Sequence, residues 1–163
     1  MKKAVILAIA LVMGFTTMVK ADSNWNSVEA GFWFGYPTAT LHSNVYGVKF
    51  GLPVCSGYGK VYGVEAAIFC AATDYVKGLQ FTFFGCNVSK EFAGGQVALV
   101  NVCKSKAKGL QLGTVNFSEK KGLQVGLVNS SENAPFQLGL INFNRNGWLP
   151  FMVLVNFGRD TFK

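Results

Sequence analysis

The sequence predicts an all-β fold, a short-period repeat β-solenoid with aromatic caps. Three observations lead there. Gly109-Leu110-Gln111-Leu112-Gly113-Thr114-Val115-Asn116 recurs as Gly122-Leu123-Gln124-Val125-Gly126-Leu127-Val128-Asn129 and again as Phe136-Gln137-Leu138-Gly139-Leu140-Ile141-Asn142, and a phrase repeated at a fixed period marks stacked units. Gln111, Gln124 and Gln137 stand thirteen residues apart, each five before an Asn. The glycines inside the phrases would each weaken a helix by about 1 kcal/mol relative to Ala, while charged and small polar residues gather in the links, as turns require.

Taken in order, residues 1–21 read as a secretory signal peptide. Lys2 and Lys3 precede an apolar run to Val19, and the small residue Ala21 suits cleavage. A retained membrane anchor is the rival reading. No cysteine follows the run, which disfavours lipoprotein processing. Removal of Lys2, Lys3 and Lys20 lowers the net charge from +7 by three, a modest basic excess without the clustered pattern of a nucleic-acid surface. Residues 22–46 crowd Trp25, Phe32, Trp33, Phe34 and Tyr36 together, and are expected to form an N-terminal aromatic cap, because the end of a repeat stack needs closing.

Residues 47–143 hold seven copies. The earlier ones place Lys49, Glu65, Gln80 and Gln96 where later copies carry Gln111, Gln124 and Gln137. Read as one strand by two-residue alternation, residues 109–116 put Leu110, Leu112, Thr114 and Asn116 on one face and Gly109, Gln111, Gly113 and Val115 on the other. Leu110, Leu123 and Leu138 are then expected to form an inward column, with Gln124 on the opposite face. Glu65 pairs with Lys49 in an outward-facing ladder on this reading. Residues 144–163 form a C-terminal cap strand, with Trp148 and Phe157 in its apolar run. The alternative architecture is a small up-and-down outer-membrane β-barrel, in which successive copies run antiparallel. The recurrence of Asn101, Asn116, Asn129 and Asn142 at one register favours side-chain ladders in parallel coils.

Cys55, Cys70, Cys86 and Cys103 fall one to each of the first four copies. Parallel coils would bring them near a common column, with Cys55 beside Cys70 and Cys86 beside Cys103, or Cys70 beside Cys86 if the register slips. Disulfides and a column of buried thiols both remain open. Zinc is disfavoured, since no C-x-x-C pair is present. Catalytic signals are sparse. His42 is the sole histidine and sits in a turn-like stretch. Glu29, Asp74, Glu91, Glu119, Glu132 and Asp160 are scattered outside the phrases, so no paired carboxylates are apparent. No phosphate loop occurs, because no helix or G-K-[ST] follows the glycines. The sequence therefore predicts no catalytic, cofactor-binding or metal-binding residues.

The Gly-Leu-Gln-apolar-Gly-Leu-Val-Asn phrases, closed by Gly147-Trp148-Leu149-Pro150-Phe151 and Val155-Asn156-Phe157-Gly158, resemble a family of bacterial exported, surface-exposed repeat proteins. The likeness covers residues 45–158 and is looser before Gly94. It implies a location in the bacterial envelope or at its surface, and it carries no activity, cofactor or catalytic residue. The expected function is that of a non-enzymatic exported repeat scaffold, an interaction or structural module in the periplasm, outer membrane or cell surface. Its expected partner is a macromolecule of the envelope or extracellular space. Nucleic acid is not expected, and a membrane is expected only for the barrel alternative, which would be structural or pore-forming.

Overall fold

The computed structural model describes residues 25–159 and 161. The expected signal peptide, residues 1–21, lies outside these, as does Asp160. The chain winds into a parallel β-solenoid of about eight coils. Its strands are β1 (Trp25–Gly31), β2 (Asn44–Gly51), β3 (Val54–Ala67), β4 (Cys70–Thr82), β5 (Cys86–Val97), β6 (Val100–Leu112), β7 (Val115–Lys120), β8 (Leu123–Val125), β9 (Val128–Ser131), β10 (Phe136–Asn144) and β11 (Phe151–Phe157). Like residues stack from coil to coil: Gly63 lies on Gly47, Gly78 on Gly63, Gly94 on Gly78 and Gly109 on Gly94. Strands β1 to β10 pair in parallel, and only β11 turns back antiparallel on β10 to close the C-terminal end. This open, parallel order overturns the barrel alternative.

Each coil has a long face, a tight corner, a short face and a bend. In one coil the long face is residues 61–67, the corner is Ile68 and Phe69, and the short face starts at Cys70. The bend leading back to the next long face follows at Asp74 and Tyr75. Glycine is required where the bend enters the long face. Gly63, Gly78, Gly94 and Gly109 have φ between 132° and 145°, which side-chain-bearing residues rarely adopt. A Cβ there would lie 1.9 to 2.1 Å from the carbonyl oxygen of the stacked glycine below. The first Gly of the phrase is therefore fixed by coil-to-coil contact.

The interior is the reverse of the expected one. Gln124 is fully buried, whereas Leu123 is 41% and Leu138 42% exposed, with Leu110 half-buried. The reason is local. The phrase is not one strand, because β6 ends at Leu112 and β7 begins at Val115, with the corner at Gly113 and Thr114 between them. That corner resets the alternation, so Gln111 before it and Asn116 after it both point inward despite their odd separation. The expected outward Lys49–Glu65 ladder is likewise corrected: both side chains are buried.

β1 pairs in register with β2 and sets Glu29 against Lys49, so the repeat starts one copy before Gly47 and Glu29 lies inside a phrase. Phe32, Trp33, Phe34 and Tyr36 are exposed and do not fill the interior.

Candidate functional site

Two chemically distinct regions emerge, an enclosed polar axis and an apolar outer surface. The axis begins with a chain of amides. The side-chain nitrogen of Gln137 donates to Gln124 (2.7 Å), Gln124 to Gln111 (2.8 Å), Gln111 to Gln96 (2.8 Å) and Gln96 to Gln80 (2.6 Å). Gln80 ends the series by donating to Glu65 Oε2 at 2.8 Å. Parallel coils spaced by about 4.8 Å let one amide reach the next, so identical side chains satisfy one another. Gln137 Oε1, at the open end of the chain, is buried without a hydrogen-bond partner.

A second chain runs the opposite way. Asn87 Nδ2 donates to Asn101 (3.0 Å), Asn101 to Asn116 (2.9 Å), Asn116 to Asn129 (2.8 Å) and Asn129 to Asn142 (2.8 Å). The second amide hydrogens reach corner carbonyls, such as Leu112 O from Asn101 and Val125 O from Asn116. The two ladders thus hold the coil corners to the interior, and their opposed directions offset one another's dipoles.

At the N-terminal end the ladder becomes ionic. Lys49 Nζ lies 3.0 Å from Glu29 Oε1 and donates to Ser56 O at 3.0 Å. Ser43 and Asn26 donate to Glu29 Oε2. Glu65 accepts from Thr73 at 2.5 Å and from the Cys55 thiol at 3.3 Å. Burial raises the Glu65 carboxyl above its ordinary value, against the opposing influence of Thr73 and Lys49. Burial also pushes the Cys55 thiol well up, and the Glu65 charge adds to this. A buried thiol with a raised pKa is less nucleophilic than an exposed one. The cluster continues the amide ladder toward the N-terminal end through an ion pair and hydrogen bonds.

The four cysteines occupy three columns rather than one. Cys55 lies beside Ala71, Cys103 beside Ser89, and Cys70 directly beside Cys86. The expected 55–70 and 86–103 neighbours are thus replaced by the slipped pair, with Sγ atoms 3.0 Å apart. Desolvation raises the Cys70 thiol, and the bond to Cys86 raises it further. All four residues are free thiols here. Neighbouring parallel strands bring paired Cα atoms within disulfide reach. Treatment with diamide, which takes up the two protons and two electrons released, should link Cys70 to Cys86 alone. A non-reduced digest showing a Cys55–Cys70 or Cys86–Cys103 peptide would contradict the register.

His42 is exposed and stacks against the Tyr58 ring at 5.6 Å. Asp74 pairs with Lys90 at 2.6 Å, and Glu132 with Arg145 at 3.5 Å. Glu91 and Glu119 lie near the bend edge without joining another carboxylate. Among the described residues, no three or more His, Cys, Asp and Glu groups gather as metal ligands.

The outer surface carries the apolar residues the interior rejects. On the long face, Val48, Val64, Leu79, Leu110 and Leu123 belong to one outward column, interrupted at Gly95. Phe50, Phe81, Val97, Leu112 and Leu138 belong to a second. The adjoining corner adds exposed Phe69, Phe84, Leu99, Leu127 and Leu140. On the other side of the long face runs a rim of Tyr62, Lys77 and Lys108. Beyond it, the bends expose Lys60, Lys106 and Lys120. Sequence reasoning missed this surface because it assigned the leucines to the core.

Comparison with family models, curated proteins and solved structures finds no match.

Proposed function

We propose that the protein is a non-enzymatic exported repeat scaffold of the bacterial cell envelope or surface, acting as an interaction or structural module. The observation that carries this reading is the division of the molecule into a sealed polar axis and a repetitive outer surface. Glu29, Glu65 and the Cys55 thiol are buried in hydrogen bonds, while the surface presents apolar side chains in register from coil to coil. A repeat stack contacts partners through such an extended face. The basic start and apolar run of residues 1–21 support export. The test is expression of the full chain in a bacterial host, followed by fractionation and N-terminal sequencing. The exported product should begin at Asp22 or within a residue or two of it. A chain confined to the cytoplasm with Met1 intact would overturn the reading.

A further inference from the structure

We propose that the long face and its apolar corner dock on an anionic phospholipid bilayer, with the solenoid axis lying along the membrane plane. The proposal rests on the envelope reading above and names the partner of that scaffold.

The argument starts from the inverted pattern. A soluble stack ordinarily turns leucines in and amides out. Here the amides are in, and Leu79, Leu123 and Leu138 are each about two-fifths exposed. They belong to outward columns that run along the stack, the first interrupted at Gly95, with Phe84 and Leu140 exposed at the adjoining corner. A contiguous exposed apolar patch of this kind marks a contact surface. The parallel ladder satisfies backbone groups within the stack, so a long face can enter an apolar boundary without stranding them.

What selects a bilayer is the rim. Tyr62 adjoins the apolar columns and stacks with Trp25 at 5.2 Å, and Lys77 lies over its ring at 5.6 Å from the centroid. Lys108 continues this outward column, beyond Ala93. Trp and Tyr favour the level of lipid headgroups, and lysines beside an apolar face extend their ammonium groups to anionic headgroups while their stems stay apolar. Apolar columns, then aromatic rings, then ammonium groups reproduce the order of acyl chain, interface and phosphate. Charge complementarity thus favours anionic lipid over an uncharged apolar partner. No helix among the described residues is long and apolar enough to cross a membrane, so the contact proposed is interfacial.

The experiment is flotation of the purified exported protein with vesicles of phosphatidylglycerol and phosphatidylcholine, or of phosphatidylcholine alone. The wild type should float with the anionic vesicles and bind the zwitterionic ones at least tenfold more weakly. Lys77→Gln with Lys108→Gln should lower binding to anionic vesicles by about 30-fold, from the usual contribution of a lysine near an anionic surface. Leu123→Ser with Leu138→Ser should abolish flotation on both. These leucines point outward, so an unchanged circular dichroism spectrum is expected and separates lost docking from lost fold. Absence of wild-type flotation, or flotation untouched by the leucine changes, would overturn the proposal. So would a dimer in sedimentation that the leucine changes dissolve while no flotation occurs, which would assign the face to a second copy. None of these failures bears on N-terminal processing, so the envelope reading stands or falls separately.

Discussion

Replacing Gln124 by Leu lowers stability by about 2–4 kcal/mol, the range expected when one deletion strands buried polar partners. Gln124 sits in the middle of the amide chain. It accepts from Gln137 at 2.7 Å and donates to Gln111 at 2.8 Å, with Ser130 O a further acceptor at 3.2 Å. Leucine fills similar volume but leaves Gln111 Oε1 and Ser130 O without this donor, sealed from water. Gln137→Leu should cost roughly half as much, since the end of the chain has only one ladder neighbour. Leu123→Asp, one residue away but pointing outward, should shift stability by no more than about 0.5 kcal/mol. Urea unfolding of the three variants checks the order. A Leu123→Asp variant less stable than Gln124→Leu would return the leucines to the interior.

The stack itself was legible because its evidence is spacing. Recurrence of Gln111, Gln124 and Gln137 requires only that coils be equal in length, and the Asn series points to parallel stacking. Which face is inside was not legible from alternation, because a one-residue slip exchanges the two faces of any strand. Here the slip is built in at Gly113 and Thr114. A signal did exist: Gln and Asn recur with fixed identity in the later copies, whereas the apolar positions exchange Leu, Val and Phe freely. Amide chains tolerate one geometry, and an outer surface tolerates many. The five-residue offset of Gln and Asn pointed the same way, since two ladder-forming residues at an odd spacing need a corner between them.

The first copies were harder because charge replaces amide. Lys49, Glu65 and Glu29 look like surface residues by type, and burial of such groups needs partners that sequence alone does not pair. The cysteines show the same limit. Their spacing places one in each copy, but the length of each corner and the position of the cysteine beyond it decide which column it enters, and only Cys70 and Cys86 share one.

Lys49→Met should destabilise the N-terminal coils by about 3–5 kcal/mol, because breaking a buried pair leaves the other charge uncompensated. Lys49 is the positive group between Glu29 and Glu65, 3.0 Å from Glu29 Oε1. Its removal also frees Ser56 O from its 3.0 Å hydrogen bond. Glu29→Gln added to Lys49→Met should recover most of the loss, which a cavity effect alone would not allow. The pH dependence gives an independent check. Burial raises the Glu65 carboxyl above its ordinary 4.5, so the folded chain holds this proton to higher pH than the unfolded chain does. This contribution to stability is therefore fully present below about 4.5 and is lost as pH rises through the folded value. Lys49 opposes that shift, so Lys49→Met should be more damaging at neutral pH than at pH 5. Glu65→Gln should remove this part of the slope, because an amide there continues the ladder by accepting from Gln80 and carries no proton to lose. Hydrogen exchange of the N-terminal coils, followed across pH, reads both effects. Equal loss for Lys49→Met at both pH values, with an unchanged slope in Glu65→Gln, would remove Glu65 from the electrostatics of the axis.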